Sequence, residues 1–402
     1  MKKILFVDDE PAVLGGLEVS LRKFSRRWDM TFACGGDAAI SKMADSNYDV
    51  VVSDVGMPGL SGMDVLRHAK KKHPNAVRIA LTGYADDKNT IMLTEVAQRC
   101  LIKPCAVDEI DAVISRDTGL IEAFDNPIVQ ELAGAAGRLP AGANVQGKLL
   151  ESINSKDSSV YDIASLVEED LALTAKILQL ANSSFFRRQV PVVSARQAIT
   201  HLGLEVIRSL LLADQIFEKS KDIPKMDYFD VPAIQQHSQL CSSIAKEITP
   251  ESECSSAAMT AGLLHDVGKL IIAIERPEVV AALVGVRDGA PNTWVSSAAE
   301  RDILGCTHSE IGGYFLNLWG VPTSVVEAVT FHDTPSAIFS HELDIVGVVH
   351  ISNYLAHLAV EKEPNDVVES KLDHDFLEDI AMSDKLDEWK FVARDVAAAL
   401  SY

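Results

Sequence analysis

Asp8 and Asp9 follow the apolar run KKILFV, Asp54 follows YDVVVS, Thr82 follows RIAL, and Lys103 follows RCLI. Each polar group closes a short apolar stretch of strand length, and segments of helical pattern separate the stretches. Strands that alternate with helices predict a parallel sheet, whose ligands gather at the carboxyl ends of the strands. Three carboxylates, a hydroxyl and an amine delivered by four strands to one edge predict a pocket. Phosphoryl acceptance is the chemistry that fits. Asp8, Asp9 and Asp54 would repel one another unless a hard cation such as Mg2+ lay among them. Asp54 would be the nucleophile and become an acyl phosphate. Lys103 would pair with one phosphate oxygen and Thr82 would hydrogen-bond another. Singly, each residue reads more readily as a strand-end cap or a solvated loop acid; the order and spacing of all five argue for a site.

On the strings VDDE, DVGMPGLSG from Asp54, LTGYAD from Leu81 and LIKP ending at Pro104, residues 1–118 resemble a two-component receiver domain. The resemblance implies an α/β fold, a doubly wound five-stranded parallel sheet, with Asp54 as phospho-acceptor. It also implies Mg2+ held by Asp9, Asp54 and the carbonyl of Gly56 next to Asp8, and a cis bond before Pro104. A sensor histidine kinase or phosphotransfer protein would be the phosphoryl donor. Three residues before the lysine the family usually carries an aromatic switch; this chain has Cys100. A thiol cannot swing as a tyrosine would, so the signal is expected to leave through Thr82 and the loop after it.

A second constellation lies further on. His265 and Asp266 adjoin in AGLLHDVGKL, an apolar context where an unpaired charge is costly. Imidazole and carboxylate together suit Zn, Mn or Fe, in a site that activates water for hydrolysis. His237, His308 and His332 (next to Asp333) are the candidates to complete the shell. The bland alternative for each is a hydrogen-bonded core histidine. His350 and His357, seven apart on one helical face without a carboxylate partner, read as structural or surface residues. Lys269 reads as a helix cap before a phosphate contact.

Around these residues the periodicity is helical nearly throughout. YDIASLVEEDLALTAKILQLANSSFF predicts two packed helices, and 195–213 predicts another with Ile199, Leu202, Val206, Leu210 and Leu211 inward. An all-helical second domain follows. Residues 138–356 resemble the HDOD domain, an HD-like relative of phosphohydrolases. The strings that carry the resemblance are RLPAGANVQGKLLESI, DLALTAKILQLANSSFF, AITHLGLEVIR, LLHDVGKL, ILGCTHSEIGGYFLNLWGVP and VTFHD. It implies a helical signalling module that acts by binding a protein partner. Against the related HD-GYP phosphodiesterases, Asp333 stands where a second histidine is expected and Asn353 where an aspartate is. The GYP stretch is absent. A mononuclear metal held by His237, His265 and Asp266 is what such a set would keep. Two functions follow: a phosphorylation-controlled regulator whose output is protein–protein interaction, or a receiver-regulated metal-dependent phosphohydrolase acting on an ester such as a cyclic dinucleotide. A second copy of the chain is a further candidate partner.

Length and composition agree with a signalling protein. A chain of 402 residues suits two or three cores. A formal charge of −21 opposes binding to a polyanion, so no DNA partner is expected. No uninterrupted apolar stretch of about 18 residues is present, and MKKILFVDDE turns acidic too soon for a secretory signal, so a cytoplasmic chain away from membranes is expected. The six cysteines show no CxxC pairing and read as reduced thiols. A helical rhythm spans 106–125, and glycines with Pro140 break the pattern across 133–144. The expected parts are a receiver at 1–118, a helical linker at 119–137, the HDOD domain at 138–356, and a helical extension at 357–402 packed on it.

Overall fold

The computed structural model describes residues 1–73, 76–83, 93, 96–111, 113–115, 126–136, 139–141, 143–155, 158–183, 186, 191–212, 218–219, 229–249, 253–287, 290–337, 342–360 and 372–400. Strands β1 (Lys2–Asp8), β2 (Trp28–Cys34), β3 (Val50–Asp54), β4 (Val77–Thr82) and β5 (Arg99–Ile102) form one parallel sheet ordered β2-β1-β3-β4-β5. Val50, Val51 and Val52 are all fully buried, the mark of a central strand covered on both faces. The strand order reverses between β1 and β3, which opens a crevice at their carboxyl ends. Helices α1 (Pro11–Leu21), α2 (Gly36–Asp45) and α3 (Gly62–Lys72) and a helical segment within 107–115 complete the layer. Ser61 and Asp64 cap α3 reciprocally, which fixes where the loop after Asp54 ends. Residues 116–125, with the first part of the linker expected at 119–137, lie outside the described residues.

The rest is mostly helical. Its elements are α4 (Pro127–Ala135), α5 (Ala143–Asn154), α6 (Val160–Glu168), α7 (Leu171–Ala181), α8 (Ala195–Leu202), α9 (Leu204–Leu212), α10 (Val231–Ile248) and α11 (Glu253–Leu264). There follow α12 (Val267–Glu275), α13 (Pro277–Leu283), α14 (Ser297–Leu304), α15 (His308–Leu318), α16 (Thr323–Phe331), α17 (Ile345–Val360), α18 (His374–Asp379) and α19 (Leu386–Ala399). The two helices expected from residue 161 onward are α6 and α7. The single helix expected at 195–213 is two, broken at Gly203, whose φ of +82° no β-carbon tolerates well. Within the stretch expected to link the domains, α4 buries Val129, Leu132 and Ala133 and packs on α12 and α15. Strand pairs also interrupt the helices: β6 (Pro140–Ala141) with β7 (Glu218–Lys219), and the antiparallel β8 (Val284–Arg287) and β9 (Ala290–Trp294). Strands this short leave little period-two signal against the helical rhythm.

Segment Cys254–Glu275 has the length and hydropathy of a membrane span, yet 89% of its most apolar window is buried inside the protein, where it forms the centre of the helical domain. In the C-terminal extension Phe376, Leu377, Ile380 and Trp389 pack against Leu240, Ile244 and Tyr354, whereas Phe391 is 66% exposed. One connected apolar cluster runs from the sheet into the helical domain. All six cysteines are free thiols.

Candidate functional site

The crevice at β1 and β3 holds the first set. Asp8 ends β1, Asp54 ends β3, Thr82 ends β4 in register with Ile102, and Lys103 follows β5 directly. The Lys103 ammonium lies 2.7 Å from Asp8 Oδ2 and 2.7 Å from Asp54 Oδ1. Burial works against that charge, but the hydrogen bonds the ammonium donates to Asp54 and Asp8 outweigh it and raise the lysine's pKa. The backbone N–H of Glu10 donates to Asp8 Oδ1 at 2.9 Å, which turns the carboxylate inward. Asp9 completes the group: one oxygen from each of Asp8, Asp9 and Asp54 lies within 4.8 Å of the others. Three carboxylate oxygens that close fit a hard divalent cation and suit nothing uncharged. Gly56 borders Asp54, and the peptide bond between Lys103 and Pro104 is cis, as expected.

Cys100 is buried on β5, and burial pushes its thiol up to about 12, against the pull of Lys176 and Arg99. It is a packed, protonated thiol with no ring to rotate outward.

The second set forms where α11, α12, α15 and α16 meet. His265 closes α11, Asp266 caps α12, His308 opens α15 and His332 follows α16. Each of the three histidines commits Nδ1 outward: His265 to the Gly262 carbonyl at 2.7 Å, His332 to the Val329 carbonyl at 2.8 Å, and His308 to the Glu300 carboxylate at 2.9 Å. That leaves all three Nε2 atoms inside, buried and without a hydrogen bond. Asp266 Oδ1 sits among them, 3.4 Å from His265 Nε2 and 3.3 Å from His308 Nε2. Asp333 borders the group, 3.5 Å from His332 Nε2 and 3.8 Å from His308 Nε2. Histidines oriented through Nδ1, with orphaned Nε2 atoms aimed at one carboxylate, fit a nitrogen- and oxygen-binding divalent metal.

Lys269, expected to cap a helix, is buried and donates to Asp266 Oδ2 at 2.7 Å. Its nitrogen is also 2.7 Å from Oδ1, without hydrogen-bond geometry there. Burial works against the charge on Asp266, but His265, Lys269 and His308 outweigh it and hold the carboxyl well below its usual range. Burial likewise opposes a charged His308, yet Glu300 carries its pKa up to about 9. Burial pushes His265 well below its ordinary value.

His237 joins the cluster from α10, in a triad with His265 and Asp266. Its Nε2 donates to Asn353 Oδ1 at 2.9 Å. Two triads therefore share Asp266: His237, His265 and Asp266, and Asp266, His308 and His332, each offering one ligand atom per residue within 4.8 Å of the others. His350 is structural: Nδ1 donates to the His332 carbonyl and Nε2 accepts from the Asp373 N–H. His357 stacks beside His237, with ring centroids 4.3 Å apart.

Two neighbours set this geometry. Glu300, fully buried, accepts from the Trp294 indole, from the His308 N–H and from His308 Nδ1. Nothing in the sequence singles it out, since an acid in SSAAERDIL reads as a solvated helix face. Glu300→Gln removes the charge that orients His308, so divalent-metal affinity should fall about 10–100-fold in calorimetric titration. Gly268 lies against α15, where a β-carbon would meet the His308 carbonyl oxygen at 1.9 Å. Gly268→Ala should therefore separate α12 from α15 and cost about 1–3 kcal/mol in denaturant unfolding.

Comparisons with known proteins follow this division. Residues 4–115 match the response regulator receiver domain and residues 139–335 match the HDOD domain. The probable transcriptional regulatory protein TcrX of Mycobacterium tuberculosis is 32% identical over 108 residues, covering 27% of this chain and 45% of that protein. The curated relatives described are matched over 30% to 58% of their own length. Among solved structures, the MmoQ response regulator of Methylococcus capsulatus is 22% identical, with 63% of this chain and 98% of that chain covered and a TM-score of 0.48. A virulence factor of Campylobacter jejuni is 18% identical, with 65% and 94% covered and a TM-score of 0.50.

Proposed function

Because the chain belongs to the response regulators that join a receiver domain to an HDOD domain, we propose that phosphoryl transfer to Asp54 controls how the helical domain meets a protein partner. The observation that carries this is the lysine-bridged carboxylate pair, Asp8 and Asp54, at the strand-order reversal. Asp54 supplies the attacking oxygen. Lys103 already holds the position where a phosphate oxygen would arrive, and Thr82, buried at the end of β4, would donate to another. Asp8, Asp9 and Asp54, with the Gly56 carbonyl, would hold Mg2+, which supplies charge neutralisation for the incoming group. The donor is a histidine kinase or phosphotransfer protein. Phosphate shifts the receiver only by interacting differently with its two states. A small acyl phosphate in Mg2+ should label Asp54 stoichiometrically, and the label should vanish with chelator. Absence of label under every such donor would refute the proposal.

The orphaned Nε2 atoms favour a second reading, a metal-dependent phosphohydrolase under receiver control. His265, Asp266, His308 and His332 would hold Zn, Mn or Fe, which supplies water activation. Asn353, a neutral amide engaged by His237, weighs against a two-metal catalyst. Turnover of a phosphodiester that is lost in His265→Ala distinguishes this reading; turnover unaffected by that change counts against it.

A further inference from the structure

One helix joins the two sites. α15 runs eleven residues from His308 to Leu318, about 16 Å of rise. Its first turn is locked into the histidine cluster by Glu300 and by the close approach of Gly268. Its last turn lies against the receiver. Arg99 of β5 donates Nη2 to the Asn317 carbonyl at 2.9 Å, across 218 positions of sequence. That carbonyl belongs to the negative end of the helix dipole, where a guanidinium is favoured. Gly320 ends the helix at φ +77°, and a β-carbon there would fall 2.0 Å from Arg99 Nη1. The neighbouring strand adds a second link. Arg78 of β4 is buried, donates to the Val96 and Ala76 carbonyls at 2.9 Å, and reaches the Gly134 carbonyl of α4 at 3.4 Å. α4 in turn packs along α15.

Arg99 and Lys103 stand on the same stretch of chain, about 13 Å apart along an extended strand. Lys103 grips Asp8 and Asp54, so whatever redirects its ammonium pulls on β5. Cys100 is sealed between them and offers no swinging ring. β5 meets the end of α15 through Arg99.

Building on the phosphorylation reading above, we propose that Arg99 is a positioning residue for the histidine cluster. It transmits receiver state through α15 to His308, so that an occupied Asp54 and a divalent cation at the cluster change each other's affinity. Such coupling is reciprocal by linkage.

The test uses the full chain in excess Mg2+, with Co2+ titrated into the cluster and read by its visible absorption, with and without beryllofluoride. In the wild type, beryllofluoride should change the Co2+ dissociation constant about fivefold or more; in Arg99→Gln the change should shrink below about twofold. Arg99→Lys, which keeps a charged donor for the Asn317 carbonyl, should restore part of the response. A full response in Arg99→Gln overturns the inference and leaves the phosphorylation reading standing. Failure of beryllofluoride to bind overturns that reading instead. The inference is then decided in the unmodified protein: Arg99→Gln altering Co2+ affinity supports it, and unchanged affinity overturns it. No Co2+ binding to the wild type also overturns it.

Discussion

Asp54→Asn should abolish phosphoryl labelling outright. The amide keeps the size of the carboxylate and can still accept from Lys103, but it has no anionic oxygen to attack phosphorus. Lys103 would retain its 2.7 Å bond to Asp8, and one of three mutually repelling acids would be gone. Stability should therefore hold or rise slightly, and a far-ultraviolet spectrum should be unchanged while intact-mass analysis shows no adduct from an acyl phosphate. Lys103→Met should differ in kind. It leaves Asp8, Asp9 and Asp54 without their ammonium, so labelling should be weak and the fold less stable. Full labelling of Asp54→Asn would move the acceptor elsewhere.

Asp266→Ala should produce the largest effect on the helical domain. Asp266 is buried and receives Lys269, with His265 and His308 within 3.4 Å. Its removal strands the Lys269 ammonium in the interior, while His308 keeps Glu300 as its acid. Breaking a buried pair in this way costs about 3–5 kcal/mol, a large share of an ordinary domain's stability. If the cluster holds a divalent cation, the same variant should lose the stabilisation it gives, about 2.7 kcal/mol at 100 times Kd. Denaturant unfolding with and without Mn2+ or Zn2+ measures both. A variant as stable as wild type that still responds to metal would show that the cluster is only a packed histidine core.

The receiver pocket was legible because its chemistry is local. Each acid, hydroxyl or amine ends a run of apolar residues, and strand ends at one edge of a parallel sheet are close by construction. The histidine cluster was legible in composition more than in arrangement. His265 and Asp266 announce themselves in an apolar string, but the choice among His237, His308 and His332 depends on where Nδ1 is spent, and those acceptors are backbone carbonyls and Glu300. Lys269 looked like a cap because its partner, Asp266, lies only three residues back, at the start of the same helix. Gly203 splits a helix that its apolar spacing runs straight through. Arg99 gives no sequence signal at all, since its partner carbonyl belongs to residue 317 and carries no side-chain identity. Contacts made through backbone atoms across domains have no residue code.

Hydrogen exchange of the full chain, with and without beryllofluoride in Mg2+, tests most directly whether the occupied pocket resets the seat of the helical domain. Exchange rates should change at the crevice and also at the end of α15, around Asn317 to Val321, and at α4. Changes confined to residues 1–115, with the helical domain exchanging identically in both states, would contradict the account.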